Sequence, residues 1–494
     1  TGHKKIPMIQ LSLLIKNLRY SVLTLLALMF MSTPIKSADI KLPLLGDTSS
    51  GSISQQKEYE LGRAWLKAYR SRINEHHDPL LTDYLEQLIY RLAFRSQLQD
   101  HRLELIVVDN PTLNAFAVPG GVIGVHTGLF LFAKSEAQLS SVLAHEIAHL
   151  SQRHFARRLE SRKKNQVANM AGLLASLVLA ATIGSDAGMA GLTATQAMGR
   201  NESLRYSRQN EREADRLGLK TMLAAGIDPE AMSTMFEAML KLTRYTGSQV
   251  PEFLRSHPLT ENRVTDAKNK LSQLPKKEYS DSFEFHLIRA RAIIAINNNP
   301  SLSIDHFKNE LILSKNSQAA LYGASLAYIS LGKYSEAKDA IDQLLKALPD
   351  QLHYKMAEIE LYRHQKKYDL AIEKTNQLLR YQPNSYPLRM SLAETYLKSN
   401  HFLKSETLLD SLAATHSENP EVWFLLAEIR GLAGNIPGVH MARAQYFILT
   451  GVFDQARDQL SYAKKLLIHD YKKILVIDQQ LKNLNILEER IKAL

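Results

Sequence analysis

Leu331-Gly332-Lys333-Tyr334, with Ala337 and Pro349 downstream, returns as Lys366-Lys367-Tyr368 with Ala371 and Pro383. Each matched pair of positions is 34 residues apart. Phe402 and Ser405 continue the step, and Ile436 lies a further 34 residues beyond Phe402. Such a period suits paired helices, with small residues where they cross closely and Pro at the exit. Gly451-Val452-Phe453 with Ala456 adds a further unit out of phase. The pattern predicts an all-α solenoid over residues 283–494, whose concave face holds extended or helical partners.

Outward from that stretch, the chain is 494 residues long, too much for one ordinary core, so more than one domain is expected. Cys is absent. That excludes a thiol nucleophile, a disulfide framework and thiolate zinc sites, and leaves His, Asp and Glu to hold any metal. The formal charge of +11 invites a nucleic-acid reading. Five of the basic residues lie in 1–38, where there is no acid, so the remainder carries only +6. No dense basic block identifies a nucleic-acid site elsewhere. In the repeats the charges are mixed in sign, and Tyr334 and Tyr368 occupy packing positions, so protein is the expected ligand. The helix-pair period resembles that of the tetratricopeptide repeats.

Tyr20–Met31 is almost wholly apolar, follows Lys16 and Arg19, and leads to Ser37-Ala38. That order predicts a signal peptide over 1–38, with Met8 as a candidate start and the residues before it read as vector-derived, since the apolar core falls short of the roughly 20 residues that span a bilayer. The segment 39–277 lacks the repeat. Leu103–Val108 is short and β-rich, and Ala115–Val125 is interrupted by Pro119-Gly120-Gly121, which predicts strands and a tight turn. Strong helical patterns follow, so this part is expected to be α+β and mainly helical.

Ser135-Glu136-Ala137-Gln138 has the form of a capping box opening a helix, on which Leu139, Val142, Leu143, Ile147 and Leu150 face a core. The same helix carries His145-Glu146-Ile147-Ala148-His149. Two His four apart share one helical face and reach one cation. Glu146 lies about 100° round the helix, beside the metal without being forced to bind it, where a general base belongs. Glu211-Arg212-Glu213-Ala214-Asp215 places a second acidic pair one turn apart. Glu211 can supply a third ligand, and Asp215 can accept the second ring proton of a ligand His. Three protein ligands make the open, catalytic zinc pattern. Glu213 competes for the ligand role, but it lies about 200° from Glu211 and has no acid four residues on. The expected centre is one Zn2+ on His145, His149 and Glu211, with Glu146 and Asp215 as catalytic residues.

His145–His149 followed by Glu211–Asp215 resembles the HExxH plus ExxxD pattern of the gluzincin metallopeptidases. Asn114–Gly121 ahead of it and Ser256-His257-Pro258 behind it are similar to the family that contains the prenyl-protein (CAAX) proteases and their bacterial heat-shock membrane relatives. Joined to a signal peptide and a repeat array, the resemblance extends over essentially the whole mature chain; nothing in 155–206 is fixed by a motif. It implies a periplasmic, Gram-negative zinc endopeptidase with chaperone-like activity. Its partners would be unfolded or assembling outer-membrane β-barrel proteins and their assembly machinery, and it would degrade stalled or misfolded precursors. The competing reading is a repeat adaptor whose zinc domain turns over little.

Three features stay open at this level. The run opened by Asn114, Ala115 and Phe116 is either an edge strand onto which substrate adds or an interior strand, and the Asn114 amide is a candidate grip on substrate backbone. Met170–Ile183 is apolar but too short to span, so it either packs in the peptidase core, or sits over the active site or dips into a membrane or partner surface as a peripheral contact. His257, in a loop biased away from helix by Pro258, is either a fourth zinc ligand that holds the enzyme latent or an oxyanion donor.

Overall fold

The computed structural model describes residues 54–157, 207–246, 251–297, 299–314 and 317–493. The expected signal peptide and the Met170–Ile183 run lie outside them. The first helix, α1 (Gln55–Arg70), starts where the Ser54 side chain accepts from the Lys57 N–H. The next, α2 (Pro79–Ala93), is capped by Asp78, with Pro at the position that needs no N–H donor. Three strands follow, β1 (Glu104–Val108), β2 (Ala115–Val118) and β3 (Val122–His126). Their order is β1-β3-β2, with β1 parallel and β2 antiparallel to β3. The run expected as either edge or interior is therefore an edge strand. Its turn needs Gly120, whose φ is 85° and whose missing Cβ would lie 2.3 Å from the Glu58 carbonyl oxygen of α1.

Helix α3 (Leu129–Phe132) leads to α4 (Glu136–Ser151), and further on come α5 (Arg208–Ala224), α6 (Glu230–Thr246), α7 (Glu252–Ser256) and α8 (Glu261–Leu271). Leu139, Val142, Leu143 and Ile147 of α4 join residues of α2, β3 and α6 in one core. Little of α4 reaches solvent, so its polar residues are held among packed neighbours. The capping box is modified. The Ser135 hydroxyl accepts from the Gln138 N–H, but the Gln138 side chain accepts from Lys134 rather than from Ser135.

From α9 (Phe283–Ile296) and α10 (Pro300–Leu313) onward the chain is helical throughout its described residues. Helices α11 (Gln318–Ser330), α13 (Leu352–His364), α15 (Tyr386–Lys398) and α17 (Pro420–Leu432) begin at 34-residue steps. Their partners α12 (Tyr334–Ala347), α14 (Tyr368–Leu379), α16 (Phe402–Thr415) and α18 (Ile436–Leu449) do the same, and α19 (Phe453–Leu466) with α20 (Tyr471–Ala493) follow. Ala337, Ala371 and Ser405 are fully buried at the crossings, and the Ser405 hydroxyl is satisfied by the Ala393 carbonyl. The turn inside each pair uses one left-handed residue: Gly332, Lys366, Asn400 and Gly434, with φ of 59–79°. Lys366 carries the Cβ cost that Gly avoids there, so the array's packing enforces the turn even where the residue does not favour it.

The two parts share material. Phe285, Ile288 and Ala292 of α9 belong to the same core as α2 and α4. Arg291 donates to Asp78 at 2.6 Å and to the Tyr322 hydroxyl at 3.1 Å, and Arg289 donates to the Phe130 carbonyl. Further along the array, Arg70 of α1 donates to the Glu418 carbonyl between α16 and α17. The step from 277 to 283 separates α8 from α9 in sequence, but the side chains of α9 pack into the core that holds the site.

Candidate metal centre

Helix α4 presents His145 and His149 on one face, with their Nε2 atoms 3.0 Å apart. Helix α5, N-capped by Ser207, brings Glu211 to within 3.5 Å of both. The chain leaving α7 adds His257, whose Nδ1 lies 3.3 Å from His145 Nε2 and 3.2 Å from Glu211 Oε1. One donor atom from each of the four lies within 4.8 Å of all the others, and all four side chains are buried. Three imidazoles and a carboxylate in a closed pocket are donors that suit a divalent transition metal. Glu146 Oε1 is 3.4 Å from His257 Nε2 and, among the described residues, has no hydrogen-bond donor. The Ala117 N–H of edge strand β2 donates to the same carboxylate.

A layer of buried charge holds these donors. Asp215 Oδ1 lies 3.0 Å from His145 Nδ1, so the ring is held with Nε2 turned toward the other donors. Arg263 of α8 donates to both Asp215 oxygens at 2.7 and 2.8 Å and to the Pro258 carbonyl beside His257, and it forms an ion pair with Glu211 Oε2 at 2.8 Å. Its five N–H groups thus tie α5 and the His257 loop together. His149 rests on His154: the two Nδ1 atoms are 2.9 Å apart, and His154 Nε2 is 3.1 Å from Glu213 Oε2. One proton order satisfies all of these contacts. His149 Nδ1–H donates to His154 Nδ1, His154 Nε2–H donates to Glu213, and His149 Nε2 keeps its lone pair for the cluster. His154 reaches this position because Arg153 takes a φ of 50° just past α4, held by its 2.9 Å ion pair with Glu58.

Burial works against charge on His145, but the Asp215 and Glu211 carboxylates outweigh it and raise the ring to about 9. Carboxylates that favour an imidazolium there also favour a metal cation in its place. Burial pushes Glu211 up, yet His257 and His145 hold it well below the usual carboxylate range. Burial drives His149 well down, with His145 adding to the effect. Glu146 moves the other way: burial raises it, outweighing His257 and His145, so it takes up a proton more readily than an exposed Glu.

The residues named from spacing thus come together: His145, His149, Glu211 and His257 as donors, Glu146 beside them and Asp215 behind His145. Glu213 stands outside the donor set, but it reaches His149 through His154, a link that spacing did not reveal. Asn114 precedes β2; its carbonyl accepts from the His126 N–H, and its buried amide lies 3.4 Å from the His126 ring. Burial holds His126 down to about 3, so the ring is neutral and can accept from that amide. Arg263 and His154 were not anticipated.

Peptidase family M48 matches residues 79–271, and tetratricopeptide repeat families match 322–386 and 362–429. The Beta-barrel assembly-enhancing protease of Escherichia coli O157:H7 is 32% identical, over 92% of this chain and 93% of its own. The chain belongs to peptidase family M48. Its four-donor cluster therefore lies in a metallopeptidase. A second M48 relative, the Putative beta-barrel assembly-enhancing protease of Vibrio cholerae, is 31% identical over 86% of this chain and 88% of its own. The Mitochondrial metalloendopeptidase OMA1 of Schizosaccharomyces pombe is 30% identical over 44% of this chain and 63% of its own. The similarity to the first two thus runs through peptidase and repeats alike.

Proposed function

We propose that this metallopeptidase is a zinc endopeptidase of the Gram-negative periplasm. It assists the assembly of outer-membrane β-barrel proteins and degrades stalled or misfolded precursors. The observation that carries the chemistry is the convergence of His145, His149, Glu211 and His257 beside Glu146 and the open edge of β2. The relatives' names support the substrate class, and Tyr20–Met31 with its basic flank supports export.

His145, His149 and Glu211 would hold the zinc. When bound, the metal supplies a Lewis acid that acidifies water and polarises the scissile carbonyl. The substrate strand adds to the open edge of β2 through main-chain hydrogen bonds, which read backbone more than side chain. That suits an enzyme meeting unpaired barrel strands. Glu146 takes the proton from the attacking water and delivers it to the leaving amine, and its burial helps the uptake. Asp215 fixes the His145 ring, Arg263 keeps Asp215 and Glu211 ionised, and His154 holds the His149 ring. The repeat array brings precursors and assembly machinery to the cleft.

His257 is the fourth ligand of a resting state, because its Nδ1 lies among the other donors. Replacing it with Ala should then speed cleavage of an unfolded peptide. A slowing by about 10²-fold would instead assign it to the oxyanion. The function as a whole is tested by incubating an unfolded outer-membrane barrel protein with the enzyme, with and without a chelator. Cleavage abolished by chelation is expected. Intact substrate in both arms, with barrel assembly still supported, would leave an adaptor instead of a protease.

A further inference from the structure

The corner between α19 and α20 differs from the rest of the array. Tyr462, Leu466, Ile468, Tyr471, Leu475 and Val476 fall within fifteen residues and are each 48–72% exposed. Elsewhere on the repeats the exposed large apolar residues are single, as Leu403 and Tyr381 are, or come in twos, as Ile312 with Leu313 and Leu432 with Ile436 do. Ile477, Leu481 and Leu484 turn the other face of α20 onto Ala456, Leu460 and Ala463 of α19, so the outward apolar set is surplus to the core. Tyr471 and Leu475, four apart, share one helical face. A repeat array normally closes on a polar outer face.

The charge around this corner is mainly positive. Lys464, Lys465, Lys472 and Lys473 flank the apolar set, and Asp470 is the one acid between Tyr462 and Val476. Lys473 pairs with Asp470 at 3.3 Å and Lys464 with Asp478 at 2.5 Å. Lys465 and Lys472 form no ion pair within 4 Å among the described residues, and Lys465 lies over the Tyr462 ring at 5.9 Å. Tyr rings, exposed aliphatics and a rim of Lys are the composition that settles at a lipid headgroup boundary. A protein interface core would be depleted in Lys. Among the described residues no helix is long and apolar enough to cross a membrane, so such contact is interfacial.

We infer that the α19–α20 corner is a membrane-surface anchor for anionic bilayers, seating the repeat end of the molecule against lipid. It does not depend on the peptidase reading. The full chain is floated with vesicles of phosphatidylethanolamine and phosphatidylglycerol at 3:1, and with vesicles of phosphatidylcholine alone. Binding to the anionic vesicles that weakens with salt is expected. Lys465→Gln with Lys472→Gln should weaken it about 30-fold. Tyr471→Ser with Leu475→Ser should abolish it. Both double variants should keep the wild-type melting temperature and peptide cleavage, because these side chains are exposed and take no part in the α19–α20 core or the metal centre. In Tyr471→Trp, emission should shift to the blue on the anionic vesicles alone. Absent binding, equal binding to both vesicle types, or binding retained in both double variants would overturn the inference. So would a dimer in sedimentation that Tyr471→Ser with Leu475→Ser turns to monomer without any vesicle binding.

Discussion

Ion pairs in the metal centre and ion pairs on the repeat array are built from the same residue types in opposite surroundings. Around the cluster, Arg263, Asp215 and Glu211 are all buried, and each charged atom has a partner on another element. On the array, pairs such as Lys338–Asp342 sit one turn apart on the surface of a single helix with both side chains in solvent. Removing one member of the first kind strands a charge away from water, whereas removing one of the second kind returns its partner to water. The difference teaches where this molecule keeps its order. The array is held by apolar and small residues at 34-residue steps, and the site by a closed electrostatic frame.

The largest effect should come from opening that frame. Arg263→Met removes the guanidinium that faces the buried Asp215 and Glu211 and should cost about 3–5 kcal/mol of stability, read by urea unfolding. A loss below 1 kcal/mol would mean that water reaches the carboxylates and that the centre behaves like the array. Next, Glu146→Gln should slow peptide cleavage by about 10²–10⁴-fold with metal content unchanged. Cleavage at the wild-type rate would remove Glu146 as the base. His154→Phe keeps a buried ring but loses the hydrogen bonds to His149 and Glu213. It should weaken metal affinity by about 10–100-fold in competition with a chelator, and Glu213→Gln should do so to a smaller degree. Unchanged affinity in both would reduce His154 to packing. Smallest of all, Lys338→Ala should move stability by no more than about 0.5 kcal/mol. A larger loss would put the array's surface charges on the same footing as the centre's.

What was legible in the sequence was what a single helix encodes. His145 and His149, and likewise Glu211 and Asp215, are neighbours because four residues make about one turn, so their spacing alone carried their geometry. The array was legible for the same reason, since its helix starts repeat at the step of the sequence motif. Arg263 was not, because it meets Asp215 from 48 residues away through the packing of α8 on α5. His154 follows His149 closely, but its contact depends on the left-handed Arg153, which no helical spacing describes. The approach of the Asn114 amide to the His126 ring was not legible either, because it joins residues twelve apart through the pairing of β2 with β3. The sharing of α9 with the peptidase core was equally hidden. Phe285 and Ile288 lie within the span 283–494 assigned to the repeats, yet they belong to the core that holds α2 and α4.

The most direct test of the account is the metal content of purified wild type, Glu211→Ala and Glu213→Ala, measured side by side by mass spectrometry. One zinc per chain in wild type is predicted, kept in Glu213→Ala at saturating metal and lost in Glu211→Ala. Full zinc occupancy in Glu211→Ala would contradict the assignment of the centre.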